Sequence, residues 1–148
     1  VYLVDTDVLS TRAPTKAVPQ RDLRAWMERN SARLYLSVIS IAEVEAGIGK
    51  SRRAGAMGKA VRLAEWLETV VHLYRDRIIP VDVAVARRAG ALTDRARAGG
   101  HAPNLADLSI AATAEVYGYT VLTQNVRHFL PLGVRAIDPS TLVPGIEA

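Results

Sequence analysis

Val1-Tyr2-Leu3-Val4-Asp5-Thr6-Asp7-Val8-Leu9-Ser10 opens the chain, and its reading decides the fold. Residues 1–4 are a continuous apolar run with β-branched and aromatic side chains. Such a run predicts a buried strand of a parallel sheet covered on both faces. Asp5 stands where the run stops. In open α/β sheets, ligands bind in the crevice outside the carboxyl ends of the strands, so a carboxylate there is placed for chemistry. Taken alone, Asp5 or Asp7 serves equally well as a cap for the next helix. The rest of the chain has to decide.

Residues 12–19 hold two prolines and predict a loop. Leu23, Trp26 and Met27 recur at helical spacing, which predicts a helix over residues 21–29 with one buried face. Leu34-Tyr35-Leu36-Ser37-Val38 reads as a second strand. Ser40 precedes Glu43 by three residues, the spacing of a capping box. Ile41, Val44 and Ile48 give that helix its apolar face, and Gly47 and Gly49 are expected to loosen its end. Residues 50–55 form a basic connector to the longest helical pattern, residues 56–74, with Val61, Ala64, Leu67, Val71 and Tyr74 in register. Connector and helix together suggest a hairpin standing off the sheet.

Residues 78–81 read as an edge strand, because Pro80 cannot donate to a ladder. Asp82 can cap a helix bearing Val85, Ala89 and Leu92, and Arg95, Arg97, Gly99, Gly100 and His101 suggest a flexible basic loop. Asn104 opens the next helix, Asp107 falls in its first turn, and Gly118 stops it. Residues 119–123 are rich in β-formers, and residues 134–137 suggest a last edge strand. The alternation predicts an α/β fold with a mainly parallel sheet, as a single domain over residues 1–148.

Composition narrows the function. With 49% hydrophobic and 23% charged residues, the balance is that of a globular protein. No apolar run reaches bilayer length and no signal-peptide pattern precedes the first strand, so a cytoplasmic protein with no membrane partner is expected. The absence of cysteine excludes disulfides and thiolate metal sites. A net charge of +4 points weakly towards polyanionic partners.

Four polar positions occupy comparable places in this layout. Asp5 and Asn125 leave the carboxyl ends of strands, and Glu43 and Asp107 lie in first turns of helices. If those helices start at one sheet edge, the four side chains converge. Clustered carboxylates repel one another and lose hydration, so without a cation some would take up protons. A hard divalent ion resolves the conflict, since Mg²⁺ takes a few carboxylates together with water and substrate phosphates. Each position also has an ordinary reading: Glu43 in a capping box, Asp107 against the helix dipole, Asn125 in a turn.

Four motifs in order now resemble the PIN-domain nucleases, and in particular the VapC/FitB-like toxins of bacterial toxin–antitoxin pairs. They are Val4-Asp5-Thr6-Asp7-Val8-Leu9-Ser10, Ser40-Ile41-Ala42-Glu43-Val44-Glu45-Ala46-Gly47, Asp107-Leu108-Ser109-Ile110-Ala111-Ala112-Thr113-Ala114 and Leu122-Thr123-Gln124-Asn125-Val126-Arg127-His128-Phe129. The resemblance covers nearly the whole chain. It implies a three-layer α/β/α fold, Mg²⁺- or Mn²⁺-dependent cleavage of RNA, homodimerisation and a cognate antitoxin. Asp5, Glu43 and Asp107 match the family's acidic metal-site positions, and Asn125 the fourth catalytic position, which is often Asp. Thr6 and Thr123 match its small hydroxyl positions. Asp7 stands where Asn is common and Gln124 where Arg is common. Asp7 is expected either to restore charge beside Asp5 or to cap the following helix.

Around this site, Arg52, Arg53, Arg95 and Arg97 are candidates for tracking an RNA backbone, with a solvated basic face as the ordinary alternative. The apolar stripes of the helices at residues 23–27 and 61–74 are expected either to pack into the core or to form the groove that holds an antitoxin helix. Two other functions compete. Asp5-Thr6-Asp7 also resembles the aspartates of a HAD-like phosphotransferase, although the later acidic pair of that family is missing. A catalytically weak PIN fold that only binds RNA or a partner is favoured by the neutral Asn125.

Overall fold

A computed structural model describes residues 1–16 and 20–143, and part of the loop expected at residues 12–19 therefore lies outside the described residues. The strands are β1 (Tyr2–Val4), β2 (Leu34–Ser37), β3 (Ile78–Ile79), β4 (Thr120–Leu122) and β5 (Ala136–Ile137). The helices are α1 (Thr6–Ser10), α2 (Arg21–Arg29), α3 (Val38–Arg53), α4 (Met57–Tyr74), α5 (Val83–Ala98), α6 (Leu105–Tyr117) and α7 (Val126–Phe129). The strands form one five-stranded sheet in the order β3-β2-β1-β4-β5, with every neighbouring pair parallel.

Side-chain alternation along the short strands sorts the core into two halves. Leu3 and Val121 join the buried cluster with α5 and α6, whereas Val4, Leu36 and Leu122 join the cluster with α1 to α4. Successive strand side chains point to opposite faces, so both sides of the sheet are covered by helices. This is the α/β layering expected from the apolar start of the chain. Strand order reverses direction between β1 and β4, and the crevice outside their carboxyl ends is the topological switch point of the sheet. Asp5 N–H donates to Leu122 O at 2.9 Å, which fixes Asp5 at that switch point.

Several local expectations give way to the structure. The second strand stops at Ser37, and Ser37, rather than Ser40, caps α3 by accepting a hydrogen bond from Ile39 N–H at 3.1 Å. Ser40 and Glu43 thus lie inside the helix and form no capping box. Gly47 and Gly49 do not loosen α3, which runs on to Arg53; Gly55, at φ +78°, makes the turn instead. The basic connector is largely the last turn of α3.

The buried face of α4 carries Ala60, Leu67, Val70 and Tyr74, while Val61 is 54% exposed. That face belongs to the same buried cluster as Val4, Leu34 and Leu36, so the α3–α4 hairpin packs into the core rather than standing off it. Leu23 and Met27 are fully buried, which removes them from any docking groove. Arg95 and Arg97 are helical, in the last turn of α5, and not in a loop.

Candidate active site

The carboxyl edge of the sheet gathers its polar groups through two hydroxyls. Thr123 leaves β4, is fully buried, and donates to Asp5 Oδ2 at 2.8 Å. Asp7 Oδ2 lies 3.3 Å from the same Thr123 oxygen, so one hydroxyl holds two carboxylates side by side. Asp5 Oδ1 accepts from Thr6 N–H at 2.8 Å. Asp7 Oδ1 accepts from Val8 N–H at 2.6 Å, and its Oδ2 accepts from Gln124 N–H and Asn125 Nδ2, each at 2.9 Å. Asp7 therefore ties the start of α1 to the turn after β4, in part through the Asn125 amide.

The second hydroxyl is Thr6. It donates to Glu43 Oε1 at 2.6 Å and lies 2.9 Å from Ser40 Oγ, linking α1 to the first turns of α3. Asp107 is reached from a third side. Asn104 caps α6 by accepting from Asp107 N–H at 2.8 Å, and its Nδ2 donates to Asp107 Oδ2 at 3.2 Å. His128 Nδ1 stands 3.4 Å from the same Oδ2. A cavity of about 320 Å³ opens here, lined by His101, Asn104, Asp107, Arg127 and His128 between two prolines.

Electrostatics single out the pair at the switch point. Asp5 is buried, and the loss of hydration, together with the neighbouring Asp7, pushes its pKa up from 3.8 to about 6 despite the bonds from Thr123 and Thr6. Asp107 adds to that repulsion. Burial also raises the pKa of Asp7, against the hydrogen bonds it receives. Two carboxylates that resist ionising side by side favour a nearby cation.

The donor set is all oxygen, which suits Mg²⁺ or Mn²⁺. Among the described residues no group of three or more His, Asp or Glu side chains forms a ready cage. Asp5, Glu43 and Asp107 therefore do not close into a three-acid cage in this structure.

The structure thus brings Asp5, Asp7, Thr123 and Asn125 into direct contact, and joins Glu43 to them through Thr6. Asp107 is near enough to raise the proton affinity of Asp5 but bonds elsewhere. Pairing of Asp7 with Asn125 and the support of Asp107 by His128 had no sequence signal beyond their residue types. None of Arg52, Arg53, Arg95 or Arg97 lines the cavity beside Asp107. Arg52 and Arg53 lie nine and ten residues beyond Glu43, roughly 13–15 Å along α3. Arg95 Nη1 donates to Leu132 O at 2.9 Å and sits 3.5 Å from Glu115, roughly 12 Å along α6 from Asp107.

A family description for the PIN domain matches residues 2–130. The chain belongs to the PIN-domain family. This PIN domain is 32% identical over 142 residues to the VapC ribonuclease Y4jK of Sinorhizobium fredii, covering 94% of this chain and 97% of the relative. It is 31% identical over 146 residues to the toxin FitB of Neisseria gonorrhoeae, covering 94% and 98% of the two chains. The crystal structure of FitAcB from the same organism superimposes with a TM-score of 0.79 at 30% identity, over 94% of this chain and 98% of that one. Within this PIN domain the neutral amide of Asn125 donates to the carboxylate of Asp7. With the family settled, the phosphotransferase reading of Asp5-Thr6-Asp7 falls away.

Proposed function

We propose that this PIN domain is a Mg²⁺- or Mn²⁺-dependent endoribonuclease that acts as the toxin of a toxin–antitoxin pair in the bacterial cytoplasm. The observation that carries the proposal is the cluster at the sheet's switch point of buried Asp5 and Thr123 with half-buried Asp7, where the raised pKa of Asp5 accompanies two carboxylates held side by side. The relatives' names supply the substrate class and the toxin role.

Asp5 and Asp107 would hold the metal, with Glu43 as the third acidic ligand and Asp7 beside them. When bound, the ion supplies polarisation of the scissile phosphodiester and activation of water. The chain's own groups do the rest. Thr123 fixes Asp5 and Asp7 in one orientation, Thr6 holds Glu43, and Asn104 holds Asp107 by two bonds. Asn125 contributes no charge, and through Asp7 it positions the turn that carries it.

The protein works as a homodimer and as a complex with its cognate antitoxin. A groove of about 180 Å³ between α2 and α4, lined by Arg24, Glu28, Trp66, Thr69 and Leu73, offers the antitoxin an apolar floor with a charged rim. Leu73, 56% exposed, lies at this groove.

The test is cleavage of single-stranded RNA by the purified protein. Activity is expected with Mn²⁺ or Mg²⁺, is lost in chelator, and drops to background in Asp5→Ala and in Asp107→Ala while both variants keep wild-type circular dichroism. Full cleavage in chelator, or in either variant, would refute the assignment. RNA binding without cleavage under Mn²⁺ would instead favour a catalytically weak PIN fold, the reading that neutral Asn125 supports.

A further inference from the structure

Building on the nuclease reading, we propose that the cavity between the start of α6 and α7 seats a backbone phosphate of the RNA strand, away from the scissile bond, on Arg127 and His101. The cavity of about 320 Å³ shares Asp107 with the candidate active site, so a strand lying across Asp107 passes directly into it. Its volume is in the range of small-ligand pockets, enough for a phosphate with part of its sugar.

The lining offers a guanidinium and ring N–H donors on one side and prolines on the other. Arg127 and His101 are exposed, and Pro103 and Pro131 form apolar walls. Asp107 is the only acid in the lining, and both Asn104 and His128 already stand against its Oδ2. Among the described residues Arg127 forms no salt bridge, as is true of most of the arginines, and it is the arginine that lines this cavity. A guanidinium at the mouth of a cavity, without a carboxylate partner, is free to take a phosphodiester by paired N–H bonds. The loop bearing His101 is fixed, because its backbone N–H donates to Ala96 O at 2.9 Å. The backbone of His101 is thereby anchored at the cavity, and its exposed ring can contribute an N–H donor.

The experiment measures binding of a fluorescent single-stranded RNA oligonucleotide to the full chain in chelator, by anisotropy over a series of NaCl concentrations. Arg127→Ala is expected to weaken binding roughly 5–10-fold and to flatten the log K against log salt slope by about 0.7, the value for one lost phosphate contact on a single strand. Arg127→Lys should restore the slope, since Lys still meets phosphate as a point charge. His101→Ala should weaken binding by about threefold, as for one lost donor. Arg75→Ala, an exposed arginine ahead of β3 at the opposite edge of the sheet, should change neither quantity.

Wild-type binding with an unchanged slope and affinity in Arg127→Ala would overturn the proposal, as would failure of the wild type to bind RNA at low salt. The nuclease reading is judged separately in the same preparations under Mn²⁺. A wild type that binds through Arg127 without cleaving would sink that reading and leave the cavity assignment standing. Cleavage with Arg127→Ala unchanged in KM and slope would do the reverse.

Discussion

Asp5 carries the largest electrostatic cost in this chain. Its folded-state pKa of about 6 lies above the ordinary 3.8, so the folded protein holds the proton more tightly than the unfolded chain does. As pH rises through that window the unfolded chain releases its proton first, and stability falls between pH 3.8 and about 6, then stays low. The shift corresponds to about 2–3 kcal/mol. Asp5→Asn removes the titrating group while keeping its shape, and its melting temperature in chelator should lose this dependence and exceed wild type at pH 7.5. Melting curves at several pH values check this. Parallel curves for the two proteins would mean that Asp5 ionises freely in the fold. Wild-type metal affinity should fall as pH drops through about 6, because the ion competes with that proton.

At the scale of elements, the site depends on where α3 and α6 begin. Ser37 caps α3 from a fully buried position, so Ser37→Ala should cost about 1 kcal/mol in urea unfolding. Asn104 caps α6 and also holds the Asp107 carboxylate. Asn104→Ala should therefore cost a similar amount of stability, about 1 kcal/mol, and, if Asp107 is a metal ligand as proposed, lower the cleavage rate about 10–100-fold as its orienting partner is lost. The two variants separate cap from site. If Asn104→Ala slows cleavage no more than Ser37→Ala does, the second bond to Asp107 has no catalytic weight. Gly118 closes α6 in the left-handed region at φ +71°, which turns the chain into β4 and so delivers Thr123 to Asp5.

For the whole molecule, the sheet serves as a common edge for groups far apart in sequence. Asp5 and Thr123 meet because β1 and β4 are parallel neighbours, while Glu43 arrives on α3, the helix that follows β2. An ion bound at this edge binds the native chain only, so it stabilises by mass action. At a concentration of about 100 times Kd the expected gain is about 2.7 kcal/mol. Mn²⁺ should therefore raise the melting temperature of wild type clearly, and that of Asp107→Ala much less, as differential scanning fluorimetry can read. Equal shifts in the two proteins would place the ion elsewhere.

The amino-acid sequence determined the α/β alternation, the parallel sheet and the caps at Asp82 and Asn104, and it singled out the four polar positions proposed for the site. These are local or periodic properties: an apolar run, a helical stripe, a cap residue at its spacing. Tertiary structure alone decided how the polar positions are wired. The capping-box spacing of Ser40 and Glu43 looked local, yet Thr6, 34 and 37 residues away, takes both side chains while Ser37 does the capping. Asp7 had two open roles, charge beside Asp5 or a helix cap; the structure makes Asp5 the N-cap of α1 and sets Asp7 against Gln124 N–H, the Asn125 amide and Val8 N–H. The exposed arginines at positions 52, 53, 95 and 97 could not be aimed from sequence, because a side chain's target depends on which helix face packs inward. For Arg95 the packing chose Glu115 and the Leu132 carbonyl, and left Arg127 and His101 at the cavity beside Asp107.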